Sequence, residues 1–147
     1  MQIKEFLDLV WSDQGHYCVV SKDQQENVTP IFLNTIDEAV SKANALLKNN
    51  LDVYFTCSTW LENTDRKAKN AREQKIFWLD IDCGFDAKKR KYKDYKTKED
   101  AMVALRNFID VTKLPTPLIV DSGNGLHCYW PFVDPVAPAV WKPIAQG

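Results

Sequence analysis

Residues 75–86 read KIFWLDIDCGFD, and the reading of this stretch decides the rest. A run of large apolar residues closing on two aspartates predicts a strand. Strand side chains alternate, so Phe77, Leu79 and Ile81 face one way, and Trp78, Asp80 and Asp82 the other. The first set feeds a core. The second puts two carboxylates on one face, with Cα atoms about 6.6 Å apart at a rise of ~3.3 Å per residue. Two readings follow. The pair is a solvated strand end, or it holds cations, since two ions roughly 3.5–4 Å apart fit between such groups. Hard oxygen ligands select Mg2+ or Mn2+, which also bind phosphates.

The surrounding sequence supplies the other layers. Residues 15–21 (GHYCVVS) and 28–34 (VTPIFLN) read as paired strands. Residues 35–50 read as a helix with Thr35 as N-cap, Glu38 three residues on, and an apolar stripe through Ile36, Ala39, Val40, Ala43, Leu46 and Leu47. Residues 51–59 (LDVYFTCST) are rich in β-formers and read as one strand. Residues 63–74 lack an apolar stripe and read as an ordered polar loop or a surface turn of helix. The lysine-rich stretch to about residue 98 reads as a loop or insertion. Residues 97–112 read as a second helix, capped by Thr97 with Asp100 in its first turn, and apolar along Ala101, Met102, Leu105, Phe108 and Ile109. Residues 115–132 (PTPLIVDSGNGLHCYWPF) read as two strands joined by a tight turn. The order is that of an α+β protein with a mixed or antiparallel sheet.

The turn carries the second chemistry-bearing group. Gly123-Asn124-Gly125 tolerates positive φ. Beyond it, Leu126, Cys128, Trp130 and Phe132 share one face, and His127 and Tyr129 the other. A serine before a glycine turn and a histidine after it suit a phosphate cradle of turn amides, the Ser122 hydroxyl and the His127 imidazole. An ordinary hairpin with a surface histidine fits the same residues.

Charge is uneven. The net charge is −1, yet residues 66–98 hold 12 of the 19 basic residues and five acids. That segment nets +7, and the remainder −8. A basic middle suits a polyanion; a solvated charged loop is the alternative. The four cysteines, Cys18, Cys57, Cys83 and Cys128, lack the spacing of a zinc knuckle or redox pair and read as free thiols in a reducing cytosol. No signal-peptide pattern and no apolar run near the roughly 20 residues of a membrane span is present, so a cytoplasmic location is expected.

FWLDID followed some 40 residues later by SGNGLHCYW resembles the catalytic core of archaeo-eukaryotic-type primases, and most closely the primase-polymerase branch found in phages and plasmids. DVYFTCSTW, DRKAKNA and YKTKEDAMVALRNFIDVTKLPTPLIVDSGNGLHCYW extend the resemblance over most of the chain. It implies an RRM-like sheet with flanking helices, packed on a smaller N-terminal α/β unit. It implies a DNA primase or polymerase type of nucleotidyltransferase for phage or plasmid replication, located in the bacterial host cytoplasm. Asp80 and Asp82 would bind the catalytic Mg2+ or Mn2+. His127, with Ser122, Gly123, Asn124 and Gly125, would hold the triphosphate, and Arg66, Lys67 or Arg72 would reach it from the loop before the catalytic strand. Nucleoside triphosphates and a single-stranded DNA template are the implied partners, with Lys88 to Lys98 tracking the template backbone.

The family has a third motif, an acid on a later strand, and here the pattern departs. Asp134 follows too soon, and Asp121 is not a family position. The resemblance therefore implies that residues 1–147 are the N-terminal part of a catalytic domain, weak or inactive alone, with a helicase or accessory region beyond. Two rivals stand. One is a non-catalytic nucleic-acid-binding module of a replication initiator, its acids remnants. The other is a metal-dependent nuclease or nicking enzyme, against which the single histidine of LHCYW argues.

Overall fold

Helix α2 (Ile36–Lys48) begins where its cap dictates. Thr35 Oγ1 accepts the Glu38 amide at 3.1 Å, and the Glu38 carboxylate accepts the Thr35 amide at 3.2 Å. In the computed structural model, which describes residues 1–146, the chain forms two compact units. One comprises Met1–Ile76 and Pro131–Gly147, the other Phe77–Trp130.

The first unit contains α1 (Ile3–Val10), strands β1 (Tyr17–Lys22), β2 (Val28–Leu33) and β3 (Asp52–Phe55), the helix α2, and β4 (Ser58–Trp60). Strands β2, β1 and β3 form an antiparallel sheet with β1 central, so Tyr17, Cys18, Val19 and Val20 are all buried. Helix α2 buries Ala39, Ala43 and Leu46 at helical spacing. The expected stripe is narrower by one residue, since Leu47 is 48% exposed.

The predicted strand over 51–59 is two strands. Thr56 separates them: its amide donates to Cys18 O at 3.1 Å, and its hydroxyl donates to Ser58 O at 3.0 Å. Strand β3 therefore pairs with β1, and β4 pairs with β5 (Ala71–Asp82). The polar residues 71–74 are strand as well, not loop. Gln74 is buried yet satisfied, accepting from Ser58 Oγ at 3.1 Å and donating to Ile76 O at 2.7 Å. A short 3-10 turn, Ala68–Asn70, leads into it. Strand β9 (Gly125–Val136) runs beside β5, and both strands contribute residues to each unit. Helix α4 (Pro138–Gln146) follows.

In the second unit the end of β5 is followed by β6 (Phe85–Asp86) and β7 (Lys91–Tyr92), a small hairpin. Helix α3 (Lys98–Thr112), β8 (Leu118–Asp121) and the start of β9 complete it. Thr97 caps α3 by accepting the Asp100 amide at 3.1 Å. β9 lies between β5 and β8, pairing antiparallel with β8 through Leu118↔Tyr129 to Asp121↔Leu126. Helix α3 thus lies between β5 and β8 in the chain, and β9 lies between them in the sheet. Ile81, Cys83, Ala101, Leu105, Leu126, Cys128 and Trp130 form the core, with Phe77, Met102 and Ile109 packed against it. Phe108, expected inside, is 43% exposed at the edge, its ring 6.4 Å from Trp130.

The protein is α+β, as the element order predicts. The expectation of a smaller N-terminal unit is corrected: that unit takes the larger share of the chain. The reason is that its three-stranded sheet and both N-terminal helices form a core of their own around Trp11 and Tyr17. Their rings lie 4.9 Å apart, with Trp11 Nε1 donating to Thr56 O at 2.6 Å. All four cysteines are free, three buried and Cys57 half-buried. No helix among the described residues is long and apolar enough to cross a membrane.

Candidate functional site

The site is built at the end of β5. Ile81 enters the core of its unit, so its neighbours Asp80 and Asp82 are turned outward and exposed. One buried isoleucine fixes the outward register of both acids, but Leu79, expected in the core with Phe77 and Ile81, is 36% exposed.

Each carboxylate faces a nitrogen. Asp82 Oδ1 accepts from Lys93 Nζ at 3.0 Å. Asp80 Oδ1 lies 3.5 Å from His127 Nε2. Across the ring, Nδ1 is 3.3 Å from the Tyr129 hydroxyl. With Nδ1 accepting from Tyr129, the remaining N–H points from Nε2 toward Asp80, and both ring nitrogens are used. Tyr129 is buried and holds that geometry from below.

Two features stitch the 121–125 turn to the acids. Cys83 N–H donates to Asn124 O at 2.9 Å. Gly125 lies so close to β5 that a Cβ on it would meet Ile81 O at 2.0 Å. Only glycine permits this approach. Ser122, Gly123 and Asn124 are exposed on the turn.

The turn departs from the expected phosphate cradle. Gly123 N–H donates to Asp121 Oδ1 at 2.7 Å, and Ser122 N–H donates to Gly125 O at 3.1 Å. Those two amides are committed to the turn itself, one to the Asp121 carboxylate and one to the Gly125 carbonyl. Asp121 in turn pairs with Lys98 at 2.7 Å. This ion pair, with the Gly123 amide, holds its carboxyl below the usual range. What the turn leaves exposed are the Ser122 and Asn124 side chains.

Arg66, Lys67 and Arg72 belong to the other unit. There Lys67 pairs with Asp65 at 3.7 Å and Arg66 is exposed. The stem of Arg72 packs against Gly15, whose added Cβ would lie 2.7 Å from Arg72 Cδ, and its Nε is buried with no hydrogen-bond partner among the described residues. Asp134 is in that unit too, lining a cavity of about 330 Å3 with Asp8, Asp13 and Lys75.

The donor set suits a hard divalent cation only in part. Two exposed carboxylates share a face, and a lysine and an imidazole already stand as their counter-groups. No group of three or more His, Cys, Asp or Glu side chains able to hold a metal is present among the described residues, so substrate oxygens and water would have to complete the shell. Lys93 and Tyr129 were not singled out by sequence. Tyr129 shares a strand face with His127, two residues on, and that spacing is a usable signal. Nothing marks Lys93 among its neighbours.

The cysteine thiols add no chemistry of their own. Burial, with Asp80 adding to it, pushes the Cys128 thiol up to about 11. Burial pushes Cys57, in the other unit, up to about 12. Such thiols stay protonated and unreactive at neutral pH. Comparison of the chain with protein-family models, with curated proteins and with solved structures finds no match.

Proposed function

We propose that this chain is a primase-polymerase type of nucleotidyltransferase domain acting in phage or plasmid DNA replication in a host cytoplasm. The observation that supports it is the meeting of two separate sequence motifs. Asp80 of the acidic pair and His127 of the Ser-Gly-turn-His segment lie 3.5 Å apart on one exposed face.

Asp80 and Asp82 would hold Mg2+ or Mn2+ together with the triphosphate of an incoming nucleotide. Bound there, the cation would supply charge neutralisation at the α-phosphate and would lower the pKa of an attacking 3′-hydroxyl. The protein's own side chains do the rest. Tyr129 orients the His127 ring. His127 offers Nε2–H to a phosphate oxygen when the nucleotide displaces it from Asp80. Lys93, released from Asp82 by the same event, becomes a second cation for the triphosphate. The Ser122 hydroxyl adds a neutral donor at the turn.

The test is equilibrium binding of a labelled nucleoside triphosphate with and without Mn2+, on the wild type and on Asp80→Ala/Asp82→Ala. Metal-dependent binding that the double variant lacks supports the reading. Binding that ignores both the metal and the variant removes it, and leaves the non-catalytic binding module as the better account.

A further inference from the structure

We propose that the β6–β7 hairpin is a contact for single-stranded nucleic acid, with Phe85 and Tyr92 stacking on bases and the lysines around them holding phosphates. The choice of a nucleic acid over another polyanion rests in part on the function proposed above. The rest is carried by the hairpin itself.

Phe85 and Tyr92 are directly opposite in the antiparallel pair and project from the same face. Their rings are 5.3 Å apart at 74°. They do not form a hidden core, since Phe85 is 57% and Tyr92 53% exposed. Lys96 Nζ stands 5.5 Å from the centre of the Tyr92 ring. Residues 84–98 hold seven Lys or Arg and two Asp. Two large aromatic faces left in water within so basic a segment are a poor match for solvent. They match a strand of bases joined by phosphates. Duplex DNA hides its base faces, so the ligand is single-stranded.

The platform is also held in place. Gly84 N–H donates to Tyr95 O at 2.9 Å, Lys93 N–H to Gly84 O at 2.9 Å, and Tyr95 N–H to Asp82 O at 3.2 Å. The turn is fixed by Asp86, whose carboxylate accepts the Lys88 and Lys89 amides at 3.0 Å each. A hairpin fastened to the residue that carries the Asp82 carboxylate would deliver a bound strand to the acids rather than to a remote surface. Ordering is largely complete before binding, which lowers its entropic cost.

The experiment is fluorescence anisotropy of a labelled oligo(dT) of 20 nucleotides across a salt series, on the whole chain. Phe85→Leu and Tyr92→Leu keep apolar volume but lose the ring face. Both rings are more than half exposed, so melting temperatures should match the wild type. Each should weaken binding about 5- to 100-fold, with the salt slope unchanged. The triple change Lys88→Gln, Lys89→Gln and Arg90→Gln should lower the slope of log K against log salt by about 2. Leucine variants that bind as tightly as wild type overturn the proposal. So does equal affinity for duplex DNA, heparin or phosphatidylserine vesicles, which would mean charge alone. Hairpin-dependent oligo(dT) binding by a protein that shows no metal-dependent nucleotide binding would uphold this site while removing the catalytic reading.

Discussion

Replacing Gly125 with alanine should damage this protein more than any other single methyl group added to the turn. An added Cβ would sit 2.0 Å from Ile81 O, 3.0 Å from Ile81 C and 3.2 Å from Asp82 Cα. All three are backbone atoms and cannot swing aside. Restoring an ordinary contact of roughly 3.5 Å means parting β9 from β5 by more than an ångström. The Cys83 N–H to Asn124 O bond, now 2.9 Å, lies in the path of that movement. Overpacking of this kind costs about 1–3 kcal/mol, and a lost hydrogen bond about 1 more, for a total near 2–4 kcal/mol. Gly123 supplies the internal control. It has φ +84° but nothing within 4 Å of an added Cβ, so Gly123→Ala should carry only the left-handed backbone cost of about 1–2 kcal/mol. Urea unfolding followed by tryptophan fluorescence measures both. If Gly125→Ala proves no less stable than Gly123→Ala, the close approach of the two strands is not what holds the turn beside the acids.

Three further outcomes follow from the same geometry. Because Asp82 and Asp80 each face a partner, Asp80→Ala/Asp82→Ala should shift stability by no more than about 0.5 kcal/mol in thermal melts while abolishing metal-dependent nucleotide binding. His127→Ala should keep the fold and weaken triphosphate binding about ten- to a hundredfold, from the loss of one charge-assisted hydrogen bond. The pH profiles have opposite signs at two residues. The Asp121 carboxyl is held down by Lys98 and the Gly123 amide, so its stabilisation is present above the unfolded value of about 3.9 and lost as pH falls through the lower folded one. Asp121→Asn should melt earlier than wild type at pH 7, and the gap should close on acidification. The Cys128 thiol, raised to about 11 by burial, stays protonated where an unfolded thiol ionises, so stability falls as pH rises from about 8.5 toward 11. Cys128→Ala should make that part of the curve shallower, with the raised Cys57 thiol still contributing.

How much of the site was legible depends on what each residue leans on. Asp80 and Asp82 could be placed because strand alternation needs only one buried neighbour, and Ile81 supplies it. His127 could be placed for the same reason from Leu126 and Cys128, both buried. The meeting of Asp80 with His127 needed one more fact, that β9 neighbours β5, which no local pattern encodes. The turn misled for a chemical reason. Gly-Asn-Gly advertises amides for an anion, but Asp121 just before it is an acceptor of higher local concentration and takes the Gly123 amide first. Lys93 was invisible because its role comes from the hairpin fold-back, not from its own neighbours in sequence.

The fold shows the same division. Helices α2 and α3 were legible to the residue at their starts, since Thr35 and Thr97 each accept the amide three positions on. Period and cap agree there, and local signals suffice. Strand β5 was legible only from where its apolar run begins. Its first four residues, Ala71 to Gln74, look like loop because three of them are polar. They are strand because side chains of other segments meet them: Glu73 accepts from Ser12 Oγ, and Gln74 accepts from Ser58 Oγ while donating to Ile76 O within the strand. A polar strand is stable when its buried groups find partners, and here the partners Ser12 and Ser58 lie 61 and 16 residues away in sequence. The unforeseen split of 51–59 has a similar origin. β-propensity is uniform across it, but Thr56 turns its hydroxyl and amide to Ser58 and Cys18, ending one sheet and starting the next. Propensity reports that a segment will extend. Which neighbour it extends beside is set by hydrogen-bond demands elsewhere in the chain, and the candidate site owes its geometry to that second kind of information.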